Sequence, residues 1–203
     1  IGGKDRSRIA ALDAIAAVAT DWDPFSSGAI LALAVAGPDM YVGGNFSSIG
    51  AQFRTNIARL NRATGLAADW NPAANRAVYS FLQSSNLLYV GGSFTNIGGL
   101  NRSGIAALNP TNAQATGWSP TANGTVYAMG IEGDVFCAAG SFTSFGNGVQ
   151  QGFVAFRQPG YSLLSAHHST NRVVRLRLTG NTGERYVVQI STNLLDWEPA
   201  LTN

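Results

Sequence analysis

Leu88-Tyr89-Val90-Gly91-Gly92-Ser93-Phe94-Thr95-Asn96-Ile97-Gly98-Gly99 decides how this chain is read, because it has counterparts on both sides. Met40-Tyr41-Val42-Gly43-Gly44-Asn45-Phe46 lies 48 residues before it, and Phe136-Cys137-Ala138-Ala139-Gly140-Ser141-Phe142 lies 48 residues after it. The register runs outward without a gap. Ile1, Ile49, Ile97 and Phe145 align, as do Gly2, Gly50, Gly98 and Gly146. So do Arg6, Arg54 and Arg102, with Gln150 at the fourth place, and Ile9, Ile57, Ile105 and Phe153. Trp22-x-Pro24, Trp70-x-Pro72 and Trp118-x-Pro120 keep the same phase. A fixed period of this size marks a repeat architecture, and it outranks any local signal.

Each unit predicts four short strands. The first holds Ile30-Leu31-Ala32-Leu33-Ala34-Val35, or its siblings from Val78 and Val126. Turn residues follow (Gly37-Pro38-Asp39, Ser84-Ser85-Asn86, Glu132-Gly133-Asp134). The second strand is the β-branched and aromatic run that ends in Gly-Gly. After a long polar loop, residues 56–60 and 104–108 form the third strand. The fourth is short and ends on the Trp, since the following Pro cannot donate to a ladder. Residues 9–20 are Ala-rich and favour helix by propensity. Their sibling, residues 56–65, reads as strand, turn, strand, and the repeat is followed here too.

Four antiparallel strands per unit of ~40–50 residues is the signature of a β-propeller blade. The fold class is therefore all-β: a partial β-propeller of about three and a half four-stranded blades, then a truncated β-sandwich-like segment. Residues 1–24 form half a blade, 25–72 and 73–120 two whole blades, and 121–157 most of another. A linker is expected over 158–171 and the C-terminal segment over 172–203. Closed propellers have about 4–8 blades. Ring closure is thus expected from further blades or from another chain, and the sequence is read as a piece of a longer precursor.

Composition narrows the function classes. Charged residues are 12% of 203, and net charge is +2, which gives no electrostatic case for nucleic acid. One cysteine excludes a disulfide framework and a multi-cysteine zinc site. No stretch is long and apolar enough for a helical membrane span.

The stretch Leu88 to Gly99, with Arg102, Ile105-Ala106-Ala107-Leu108-Asn109 and Trp118-x-Pro120, resembles bacterial delta-60-type propeller repeats. It is similar, more distantly, to Kelch blades. The resemblance covers residues 1 to 157 and implies a large secreted or surface protein, with no defined activity. Tyr186-Val187-Val188-Gln189, Ser191-Thr192-Asn193-Leu194 and Trp197 resemble a short β-sandwich module at the C-terminus of secreted bacterial proteins.

No catalytic constellation is present in the sequence. His167-His168 would point to opposite faces of a strand and reads as an exposed linker pair. Cys137 replaces the Tyr41 and Tyr89 of its siblings and reads as core filler; a Kelch-type copper oxidase site would need histidines that the repeats lack. Asp21, Asp69 and Asp23 offer oxygen ligands for calcium, but Asx-turn capping accounts for them more simply. No metal and no cofactor are expected. Asn45, Asn101 and Asn123 are formal glycosylation acceptors.

The ligand-binding candidates are Arg6, Arg54, Arg102 and Asn101 in the rim loops. The arginines form either a basic rim for an anionic glycan or a brace within each blade. Trp22, Trp70 and Trp118, Gly44, Gly92 and Gly140, and Phe46, Phe94 and Phe142 are the structural repeat residues. The expected function is a non-enzymatic, secreted or surface-exposed binding or scaffold protein that takes a polysaccharide or a cell-surface protein through one rim. The alternative is a fragment of a carbohydrate-active enzyme whose catalytic residues lie in other blades.

Overall fold

The computed structural model describes residues 2–157 except 85, 134 and 147, and then 165–168, 174–177, 187–190 and 198–202. The chain divides into two compact units, Ile1–Phe156 and Arg157–Asn203.

In the first unit, β1 (Ala29–Ala36), β2 (Asp39–Asn45), a small tip hairpin of β3 (Ser48–Ile49) and β4 (Gln52–Phe53), and β5 (Ile57–Asn61) make one blade. The next blade repeats this with β6 (Val78–Ser84), β7 (Leu87–Gly92), β8 (Asn96–Ile97), β9 (Leu100–Asn101) and β10 (Ile105–Leu108). A third has β11 (Val126–Glu132), β12 (Val135–Gly140), β13 (Ser144–Phe145), β14 (Gly148–Val149) and β15 (Phe153–Arg157). The sheet orders are β1-β2-β5, β6-β7-β10 and β11-β12-β15. The pairings β1–β2, β2–β5, β6–β7, β7–β10 and β11–β12 are antiparallel, as a propeller blade requires.

Two details refine the four-strand expectation. The fourth strand is reduced to one bridge per copy: Leu12 with Ala19, Leu60 with Ala67, and Leu108 with Ala115. The polar loop after the second strand is itself the tip hairpin.

Every first strand slips register at the same phase, between Ile30 and Ala32, Val78 and Ser80, and Val126 and Ala128. A bulge there raises the local twist. It also brings the strand against Gly44, Gly92 and Gly140. A Cβ on Gly44 would sit well inside the carbonyl oxygen of Ala29, and one on Gly140 inside that of Thr125. Glycine is held at this phase by backbone approach, not by φ.

Ala-rich residues 9–20 follow the repeat. Asp13 Oδ1 accepts from the amides of Ile15 and Ala16, Asn61 Oδ1 from those of Ala63 and Thr64, and Asn109 Oδ1 from those of Thr111 and Asn112. The same turn closes each time through a positive φ, at Ala17, Gly65 and Ala113. A carboxylate or amide at the turn's first place competes with the helix for those amides.

The core lies between blades. Tyr41, Ile57 and Trp70 meet Val78, Leu88, Val90, Phe94 and Leu108 of the following blade. Tyr89, Ile105 and Ala107 meet Phe136, Phe142 and Val154 one blade on. Tyr41 and Trp70 rings stand 5.0 Å apart, and Tyr89 and Trp118 rings 5.1 Å. Trp70 Nε1 donates to the Asn109 carbonyl of the next blade at 3.2 Å, so each Trp closes a blade pair with its ring and, here, its polar end.

In the second unit, β16 (Ser165–His168) pairs antiparallel with β17 (Val174–Arg177), and β18 (Val187–Ile190) with β19 (Glu198–Thr202). The segments Val173 to Leu178 and Tyr186 to Ser191, read as strands, each contain one. Strand β16 falls inside the stretch 158–171, and His167 and His168 are ladder residues opposite Arg175 and Val174. The sequence turns at Ser85, Asp134 and residues 180–183, and Trp197, lie outside the described residues.

Candidate functional site

The tip hairpins gather on one rim of the blades. Each is fastened at two points by residues of fixed phase. The first is a polar latch. Asn75 Oδ1 accepts from the amides of Thr95 and Asn96, while its Nδ2 donates to Thr95 Oγ1 at 2.9 Å. Asn123 does the same to Thr143 and Ser144. Ser27 Oγ takes the place in the first blade, accepting from Ser47 and Ser48 at 3.0 Å. In the sequence Asn123 stands out only as a formal glycosylation acceptor. Its phase with Asn75 and Ser27 was the signal that could have found the latch.

The second fastening is the arginine. Arg54 Nη1 donates to the Phe53 carbonyl and Nη2 to the Ala68 carbonyl, both at 2.8 Å. Arg102 repeats this on Asn101 and Thr116, and Arg6 on Asp5 and Thr20. The second acceptor always lies two residues before the Trp. Arg54 is 8% exposed. The Nη atoms of these guanidiniums thus bridge carbonyls of their own blades, while the buried Nε of each has no hydrogen-bond partner. Only Arg6 adds a carboxylate, with Asp23 Oδ2 3.7 Å away. Replacing Arg54 by Met keeps the apolar stem and leaves two carbonyls without their charged donor. The expected loss is about 2–3 kcal/mol in the urea unfolding free energy.

Asn101 stands at the exposed end of β9. Its Oδ1 accepts from Asn96 Nδ2 at 3.2 Å, and its carbonyl from Arg102. The phase of Asn101 holds Phe53 in the preceding blade and Val149 in the following one. This is where the rim stops repeating. Phe53 is 86% exposed. Across from it, Phe25 is 65% exposed at a φ of 43°, where its sibling is Ala73. Leu66, also exposed, has Gln114 as its sibling. Pro24, Ile49 and Gly50 floor the groove between them, which encloses about 340 Å³. Asp23 and Gln52 supply its polar edge. Asp23 Oδ1 caps the turn by accepting from the Phe25 amide at 3.1 Å, which leaves acceptor capacity on the carboxylate.

The Ala16 and Ile15 amides hold the Asp13 carboxyl below its ordinary range. Lys4 does the same for Asp21, by hydrogen bond first and by charge second. Burial pushes the Tyr41 hydroxyl up, opposed by Arg59. None of the three lines the groove. Cys137 is a free thiol, partly exposed, next to buried Phe136. Among the described residues no three of His, Cys, Asp and Glu gather where a metal could be held.

A family model described as a domain of unknown function (DUF5122) beta-propeller matches residues 39–63 and 83–112. The two segments cover the same part of the period, the second strand through the turn after the third, in successive blades. No curated protein matches the chain. The family match and the stacked antiparallel sheets together make this a β-propeller repeat protein.

Proposed function

We propose that the chain is a non-enzymatic binding or scaffold protein, secreted or displayed at a cell surface, that takes a polysaccharide on its tip-hairpin rim. One observation carries the reading. The arginines and latch residues of fixed phase serve the frame, while Phe25, Phe53 and Leu66, which differ from their siblings in the next blade, stand exposed around one groove. Phe25 and Phe53 offer apolar ring faces, on which the C–H face of a sugar ring can lie. Asp23 and Gln52 offer polar groups at the edge for its hydroxyls. An apolar trough with a few convergent polar groups is the usual make-up of a ligand site. The anionic-glycan version through Arg6, Arg54 and Arg102 is less favoured, because their Nη atoms already donate to backbone carbonyls.

A polysaccharide array probed with the chain is expected to give saturable binding to neutral glycans. The Phe25→Ala and Phe53→Ala double variant should bind at least about tenfold more weakly, with an unchanged unfolding midpoint, since losing one good contact of about 1.4 kcal/mol already gives tenfold. Binding that survives the double variant would move the ligand elsewhere on the rim. No glycan bound by the folded chain, with a cell-surface protein captured instead, would replace the polysaccharide reading.

A further inference from the structure

A second surface breaks the repeat for a different reason. On β1, Leu31, Leu33 and Val35 are 43%, 53% and 61% exposed. The phase of Leu33 alone is covered in both of the other blades. Phe81 packs into the cluster that holds Tyr41, with the rings 6.1 Å apart. Met129 packs into the cluster that holds Tyr89. In both cases the cover is the second strand of the preceding blade, β2 or β7. Among the described residues Leu33 has no such strand beside it.

The neighbouring backbone is missing the same partner. Residues Ile57 and Ala58 pair with Gly43 and Val42, and Ile105 and Ala106 with Gly91 and Val90. At this phase the N-terminal half blade has Ile9 and Ala10. Among the described residues its one ladder contact is the outer bridge of Leu12 with Ala19. An open gap of about 490 Å³ separates Ile9 and Ala10 from Ile30, Leu31 and Leu33. A second, of about 270 Å³, shares Ile9, Ala10 and Leu33 with it and runs to Trp22, Val35 and Met40. The gap therefore has an apolar wall on one side and an unpaired strand edge on the other.

We infer that this gap receives a β-hairpin of the chain's own repeat type, a partner strand pair with an aromatic at the Tyr41 and Tyr89 phase and a Gly-Gly end. The two occupied interfaces within the chain define that chemistry. The aromatic covers Leu33, as Tyr41 meets Phe81. The strand's backbone takes the inner edge of Ile9 and Ala10, as Gly43 and Val42 take Ile57 and Ala58. The Gly-Gly end is needed because a Cβ on Gly43 or Gly91 would run into Val78 or Val126 of the next blade. A whole blade does not fit, since residues 9–19 already hold the places of its two outer strands.

The test uses the 203-residue chain and a labelled synthetic peptide of residues 76–94. Fluorescence anisotropy is expected to show saturable binding that a scrambled peptide does not compete. Leu33→Arg in the chain, or Tyr89→Ala in the peptide, should each weaken it at least about tenfold. Leu33 is exposed, so its variant should fold, which circular dichroism checks. Because a free hairpin is poorly formed, a second arm fuses a copy of residues 25–48 directly ahead of Ile1, in phase with the repeat. That fusion should raise the unfolding midpoint, and Leu33→Arg should erase the gain. No peptide binding together with no gain in the fusion overturns the inference. So does self-association of the chain that Leu33→Arg abolishes, since a second copy would then be the occupant.

Discussion

Gly44→Ala is expected to destabilise the protein by about 3 kcal/mol, the upper end for forcing atoms into a packed site. The reason is backbone against backbone. Gly44 pairs with Ile30 beside the β1 bulge, and its amide donates to the Asn56 carbonyl at 3.0 Å. An added Cβ meets the Ala29 carbonyl, which is held in the ladder and cannot rotate away. The same clash recurs at Gly92 with the Ala77 carbonyl and at Gly140 with that of Thr125. Gly130 supplies the control. It lies in β11, a first strand rather than a second, and a Cβ there meets nothing within 4 Å. Gly130→Ala should be neutral or gain a few tenths of a kcal/mol through the unfolded chain. Urea midpoints of the four variants test this. Equal effects at Gly44 and Gly130 would mean that the bulge is not the constraint.

Phe94→Ala should cost about 3–5 kcal/mol. Phe94 is fully buried between two blades and touches the cluster shared by Tyr41, Trp70 and Leu108. The gap left by its ring is lined by strands fixed on both sides, so it cannot collapse. Phe142→Ala should behave alike, from the next interface. Phe53→Ala removes the same side chain at an exposed tip and should change stability by less than about 0.5 kcal/mol. The contrast separates phenylalanines that hold blades together from one that is free to meet a ligand. Calorimetry or urea titration of the set would show it, and a stable Phe94→Ala would dissolve the blade-interface account.

Much of the frame was legible because the repeat constrains it three times over. Trp70, Gly92 and Phe94 keep phase with their siblings, and each turns out to fill an interface or a close approach. Local propensity misled at residues 9–20, where alanines score as helix. The Asp13 side chain settles it by taking the Ile15 and Ala16 amides, as Asn61 and Asn109 do in their copies. The tip hairpins read as polar loops, since two-residue strands such as Ser48–Ile49 carry no alternation to detect. Arginine was the harder case. Its recurrence favours a brace, since a repeat-invariant residue mostly serves the repeat, yet leaves a ligand ring open, and the partners are backbone carbonyls, which a sequence does not display. The groove's two aromatics, though they lie on loops of the expected rim, were missed for the opposite reason. Phe25 and Phe53 break the period, and attention to what repeats passes over what does not. Their proximity depends on how the chain turns after Pro24, and that turn is set by the Asp23 cap and a positive φ at Phe25.

Hydrogen exchange followed residue by residue tests the central claim, that one 48-residue unit is built three times and stacked, most directly. The slowest amides should fall in β2, β5, β7, β10 and β12 and recur in step with the sequence period. Residues 9–12, which lack an inner partner strand, should exchange much faster than 57–60 and 105–108. Helix-like protection across residues 9–20, or protection out of phase between blades, would contradict the account.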